Sequence, residues 1–144
     1  MYNAVVGFMF DPQGKRVVLI NKTHPEWQKG LWNGVGGVVQ TDRENAREAM
    51  AREFLEETGV ETEPNQWVSA VIMNGRNAET GEDWTITFLY SLSHHGFDQV
   101  KTVTDEPVDF HRVDILPGNL VRGLRWIIPL CLENIDFPLV VRSR

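Results

Sequence analysis

Three carboxylates, Glu53, Glu56 and Glu57, stand close together in the segment Arg52-Glu53-Phe54-Leu55-Glu56-Glu57-Thr58-Gly59. On a helix they occupy positions i, i+3 and i+4, so all three project from one face. Like charges at that spacing repel and weaken the helix that carries them. A missing positive partner accounts for the cluster, and an all-oxygen donor set suits a hard cation such as Mg²⁺ or Mn²⁺. Arg52 lies one turn before Glu56 and is placed to hold that carboxylate. Gly59 is suited to end the helix in a left-handed conformation. Taken alone, a run of this kind is more often a solvated helix face. The Gly36-Gly37 pair upstream shifts the balance, because glycine accepts backbone conformations that bring a carbonyl against a ligand.

The stretch Gly36 to Val60 resembles the signature of the Nudix hydrolases, which places a glycine and a glutamate ahead of R-E-U-x-E-E-x-G-U, with U bulky and apolar. Arg52, Glu53, Phe54, Glu56, Glu57, Gly59 and Val60 fall on that pattern, and Glu44 takes the upstream glutamate position. Gly37 fits with one extra residue in the loop from Val38 to Arg43. Two capping boxes compete before the helix, Thr41 with Glu44 and Asn45 with Glu48. The resemblance favours Asn45, which leaves Glu44 free to support Arg52, the metal site or the bound substrate. It implies an α/β fold, the Nudix α/β/α sandwich with a mixed, curled sheet, as one domain over residues 1–144. It also implies hydrolysis of a nucleoside diphosphate linked to a further group X. Glu53, Glu56, Glu57, the Gly37 carbonyl and Glu106 would hold Mg²⁺ or Mn²⁺. Either Glu53 or Glu106, with Asp105 as the latter's rival, would be the catalytic base, and Arg52 would orient.

Leu31 to Gly37 (LWNGVGG) resembles a narrower pattern from Nudix members that hydrolyse nucleoside triphosphates, in some of which the asparagine contacts the base. Asn33 both donates and accepts, which suits a base edge; it equally suits an amide that ties together a glycine-rich turn. Lys22, at the end of a strand, is a candidate for a substrate phosphate or an ordinary exposed lysine. The leading expectation is a MutT-like pyrophosphohydrolase acting on a nucleoside or deoxynucleoside triphosphate. The alternatives are a nucleotide-sugar hydrolase and a non-catalytic nucleotide-binding domain. Val121-Arg122-Gly123 stands where oxidised-purine readers carry acidic residues, which argues against that preference.

These residues need elements to position them. Asn3 to Phe10 and Arg16 to Ile20 read as two neighbouring strands, with Asp11-Pro12-Gln13-Gly14 as a turn. The helix is expected over Asn45 to Thr58, with Ala46, Ala49, Met50 and Phe54 as its apolar side. Strands follow at Trp67 to Met73, Trp84 to Leu92 and Val108 to Val113. A helix is expected from Asn119 to Asn134, interrupted at Pro129. Trp32 could stack or fill the core and Trp126 could wall a base pocket, with packing preferred for both. His94 and His95 invite a zinc site, but no further ligands stand at fitting spacing, so a solvated loop is preferred.

The chain has 144 residues, 42% of them apolar, and a formal charge of −6. That balance excludes non-specific binding to a nucleic acid polymer but not to a nucleotide, whose phosphates a metal ion neutralises. The single cysteine, Cys131, excludes an internal disulfide framework. No apolar run reaches membrane-spanning length and no signal-peptide plan opens the chain, so a cytoplasmic setting without membrane partners is expected.

Overall fold

The computed structural model describes residues 1–93 and 95–143. Eight strands form one open mixed sheet in the order β3-β2-β1-β6-β5-β8, with β4 paired to β1 and β7 to β2. They are β1 (Tyr2–Phe10), β2 (Arg16–Asn21), β3 (Trp32–Asn33), β4 (Val35–Val38), β5 (Val68–Arg76), β6 (Asp83–Leu92), β7 (Val108–Arg112) and β8 (Leu139–Arg142). Helix α1 (Ala46–Thr58) lies on one face and α2 (Leu124–Leu130) on the other, which makes the α/β/α sandwich. No helix among the described residues is long and apolar enough to cross a membrane.

Strand β1 explains the layering. Its apolar run faces core on both sides: Val5 and Met9 pack with Met50 and Phe54 of α1, while Phe8 and Phe10 pack with Leu124 and Ile128 of α2. A strand buried on both faces reads as continuous hydrophobics rather than as an alternation. The expected partnership of β1 with β2 is slight, with Phe10 opposite Val17. Its long pairing is parallel, to β6, from Tyr2 opposite Trp84 to Phe10 opposite Leu92.

Where β1 and β2 part, the segment from Trp32 to Val38 enters the gap. It pairs first with β2 and then, after Gly34, antiparallel with β1. A Cβ on Gly34 would meet the Gly7 carbonyl oxygen at 2.7 Å, and one on Gly36 would collide with the Val5 carbonyl. Gly34 and Gly36 are therefore needed for close backbone approach.

Helix α1 is set by local chemistry. Asn45 accepts from the Glu48 N–H at 2.9 Å while Glu48 accepts from the Asn45 N–H at 3.0 Å, and Gly59 ends the helix at φ 77°. Met50 and Phe54 are fully buried, each worth about 1.5–3 kcal/mol of burial.

The C-terminal helix is shorter than the expected Asn119 to Asn134. Leu120 forms a parallel bridge to Trp32, and Gly123 takes φ 89°, so the helix begins only at Leu124. Pro129 sits inside α2 near its end. Strand β8 was not expected; it pairs parallel to β5 at the sheet edge, Val71 opposite Leu139.

Candidate active site

Arg52 organises the acidic face of α1. Its Nε and Nη2 donate to the two carboxylate oxygens of Glu44 at 3.0 and 2.6 Å, and Nη1 donates to Glu53 at 3.0 Å and Glu56 at 3.2 Å. Nη2 also reaches the Val38 carbonyl at 3.2 Å. Glu44 is itself fixed by the Gln40 N–H at 2.9 Å. The Arg52 hydrogen bond holds the Glu44 carboxyl below its usual range and raises Arg52 further above its own. Because Asn45 forms the capping box, Glu44 is free for this pairing.

The other carboxylates face less favourable surroundings. Burial pushes the Glu53 carboxyl up, with Arg52 working against it. Burial and the neighbouring Glu53 raise Glu57 to about 8, although its Oε2 accepts from the Gly36 N–H at 3.2 Å. Gly37 lies so close that a Cβ there would overlap the Glu53 carboxylate. Two partly buried carboxylates, one raising the other, beside an open backbone form a donor set that fits a hard divalent cation. Glu53 and Glu57, with the Gly37 backbone close to Glu53, are the residues that could hold it. Glu56 is turned to Arg52 and more than half exposed. Among the described residues, no three His, Cys, Asp or Glu side chains already converge on one point. His94 of the considered zinc pair lies outside the described residues.

Glu106 is brought to the same place from far along the chain. It is 3% exposed and accepts from Lys22 Nζ at 3.1 Å, 84 residues away in sequence, and from the Thr23 N–H at 2.8 Å. Burial alone would raise its pKa, but the Thr23 N–H and the Lys22 ammonium outweigh it and hold the carboxyl below its usual range. Its charge also contributes to raising Glu57. Asp105 makes only a 3.4 Å contact with the Thr23 hydroxyl. Lys22 is thus paired with Glu106 rather than exposed.

Beside these groups opens a cleft of about 830 Å³, lined by Lys22, Gly37, Glu53 and Glu57 and by apolar Met73, Ile86, Phe88 and Leu124. Asn33 also lines it, with its Oδ1 accepting from the Gly34 N–H at 2.8 Å and its Nδ2 donating to Gln28 at 3.0 Å. Trp32 packs edge-on against His111 with centroids 4.4 Å apart, whereas Trp126 is 79% exposed, against expectation. A metal-compatible carboxylate set beside a cleft with an apolar wall can take a polyphosphate at one part and a flat organic group at another.

A family model described as the NUDIX domain matches residues 2–127. The chain belongs to the Nudix family. No curated protein matches it significantly. Among solved structures, the mutator MutT protein of Bacillus halodurans is similar at TM-score 0.73 and 20% identity, over 99% of this chain and 90% of that one. The MutT Nudix hydrolase of Burkholderia pseudomallei reaches 0.72 at 21% identity, over 90% and 96%. The Nudix domain of Shewanella oneidensis NrtR, crystallised with ADP ribose, reaches 0.67 at 17% identity, over 91% and 86%. At these identities the likeness establishes the fold.

In this Nudix chain Arg52, Glu44, Glu53 and Glu56 form one hydrogen-bonded group, and Glu57, Gly37, Lys22 and Glu106 border it. Gln28, which holds Asn33, gave no signal in the sequence, since a glutamine in a polar loop follows no pattern. Nor did Trp84, whose indole lies against Gly75 and lines the cleft.

Proposed function

We propose that this Nudix protein hydrolyses a nucleoside or deoxynucleoside triphosphate to the monophosphate and pyrophosphate, with Mg²⁺ or Mn²⁺ as cofactor. The observation that carries this reading is the junction of the Glu53–Glu57 pair with an apolar-walled cleft of about 830 Å³. That volume is in the range of small-molecule sites. The likeness to MutT proteins supports it. A bound divalent ion supplies the charge that neutralises the diphosphate and acidifies a water.

The chain's own residues do the rest. Arg52 fixes Glu53 and Glu56 in orientation and Glu44 fixes Arg52, so the acidic face is preorganised. Glu53 or Glu106 accepts the proton of the attacking water. Lys22, released from Glu106, is placed to meet a phosphate oxygen. Leu124, Ile86 and Phe88 give the base a dry wall. A second reading, hydrolysis of another nucleoside diphosphate derivative, is favoured by the ADP-ribose complex of the similar NrtR domain.

The test is a nucleotide panel with Mg²⁺, scored for pyrophosphate and for phosphate released from the products. Pyrophosphate from triphosphates, abolished by a chelator, is the expected result. Cleavage of nucleotide sugars or ADP ribose without triphosphate turnover would replace this reading by the second. Full turnover in chelator would end both.

A further inference from the structure

A short hydrogen-bond chain on the cleft wall fixes which polar atoms face the substrate. The Gly34 N–H can only donate, so the oxygen of Asn33 must face it, and Gly34 N to Asn33 Oδ1 is 2.8 Å. The Asn33 amide nitrogen then faces outward and donates to Gln28 Oε1 at 3.0 Å. Gln28 therefore has its oxygen occupied and its Nε2 left over, with no protein acceptor within reach among the described residues. Reversing either amide would set donor against donor. Both residues line the cleft, but Asn33 is 9% exposed with both its ends engaged, so Gln28 is the member of the pair with donors left to offer.

The turn that carries Gln28 is firmly anchored. Gln28 N donates to the Pro25 carbonyl at 2.9 Å, Leu31 N to the Gln28 carbonyl at 2.8 Å, and Lys22 N to the Leu31 carbonyl at 2.9 Å. Its neighbour Trp27 lines the same cleft, yet the residue is 68% exposed, a large aromatic with no core to fill. Arg122, which has donors and no acceptor, lines the cleft as well. The acidic groups at the cleft's far end are already engaged, Glu82 with the Met1 amino group at 3.3 Å and Asp83 with Arg76 at 3.0 Å. At the Gln28 end of the cleft, Gln28 and Arg122 thus offer hydrogen-bond donors.

From this we infer that Gln28 determines base specificity: its amide N–H groups select a base with a carbonyl edge, as in hypoxanthine, guanine or uracil, over an amino-edged base such as adenine, with Trp27 stacking on the ring. The inference deepens the proposed function and rests on the reading of the substrate as a nucleotide. Asn33 acts through Gln28 as its positioning residue. An amino-edged base would put its own donor against Gln28 Nε2 and leave both unpaired, which one hydrogen bond's worth of affinity measures.

The test compares binding of IMP and AMP, which differ at position 6 of the purine, by titration calorimetry with Mg²⁺ present. Monophosphates have no phosphoanhydride bond, so the reading is independent of which bond the protein cleaves. The wild type is expected to bind IMP roughly three- to tenfold more tightly than AMP. Gln28→Met should bring the ratio to about one. Gln28→Glu keeps an acceptor for Asn33 while replacing the outward donors by an acceptor, and it should reverse the ratio. Equal affinities in the wild type, no binding of either nucleotide, or a ratio that neither variant moves would overturn the inference. A protein that fails to hydrolyse triphosphates but keeps the IMP preference would lose the proposed reaction and retain the base selection.

Discussion

Glu57 carries the clearest residue-level consequence of the buried acidic face. Its carboxyl is raised from 4.5 to about 8, by burial first and by Glu53 second. Without metal, the folded chain keeps that proton up to about pH 8, whereas the unfolded chain releases it near 4.5. The folded state therefore binds more protons across this window, and linkage makes stability fall as pH rises through it. Urea denaturation in chelator-treated buffer should show that decline, and Glu57→Gln should flatten it while cutting turnover by several orders of magnitude. A wild-type stability that rises over the same window would contradict the buried placement of Glu57. The two candidate bases separate in the same way. If Glu106 takes the proton, Glu106→Gln should lower the maximal rate by roughly 10²–10⁴ and flatten the acidic limb of the pH–rate profile. A Glu106→Gln enzyme near wild-type rate beside a nearly inactive Glu53→Gln enzyme would assign the base to Glu53.

Among the elements, α1 owes its limits to chemistry within one turn of each end, and it can be tested there. Asn45→Ala removes one side of the capping box and should cost about 1 kcal/mol in urea denaturation, with the m-value unchanged. No loss would mean that Thr41, the other candidate cap, serves the helix equally well. Gly36→Ala should cost far more, since its Cβ would collide with the Val5 carbonyl, and backbone cannot swing aside as a side chain can. These features were legible in the sequence because caps, terminating glycines and the acidic face are local. The start of α2 was not, because Leu120 is drawn into a bridge with Trp32, a partner 88 positions earlier whose pull leaves no trace in helical periodicity. Strand β8 was hidden for a similar reason: Leu139 to Arg142 is too short to show a period and exists by pairing with β5. The long parallel register of β1 on β6 is likewise a non-local choice, made by two apolar strands that could each have paired elsewhere. At the site, the pairing of Arg52 with Glu56 could be named from spacing, whereas Glu44 came from the resemblance to the Nudix signature. The polarity of the Gln28–Asn33 pair needed the position of the Gly34 N–H.

For the whole molecule, the contact that matters most joins distant parts of the chain. Lys22 leaves the end of β2, Glu106 sits in the loop before β7, and their 3.1 Å ion pair is largely shielded from water, with the side chains 13% and 3% exposed. Breaking a buried pair by removing one partner costs about 3–5 kcal/mol, mostly through the charge left behind. The two partners should not respond equally. Removing the ammonium in Lys22→Met strands the carboxylate of Glu106, which keeps only the Thr23 groups and a His24 nitrogen 3.7 Å away. In Glu106→Gln the freed ammonium keeps the amide oxygen as an acceptor, and at 13% exposed it retains more water than Glu106 does at 3%. Lys22→Met should therefore lose more stability at pH 7 than Glu106→Gln. The double variant should lose no more than Lys22→Met alone, since neither charge is then left unpaired. Urea denaturation of all four proteins in chelator-treated buffer measures the cycle. Losses that simply add would show that the pair does not tie the loop to β2.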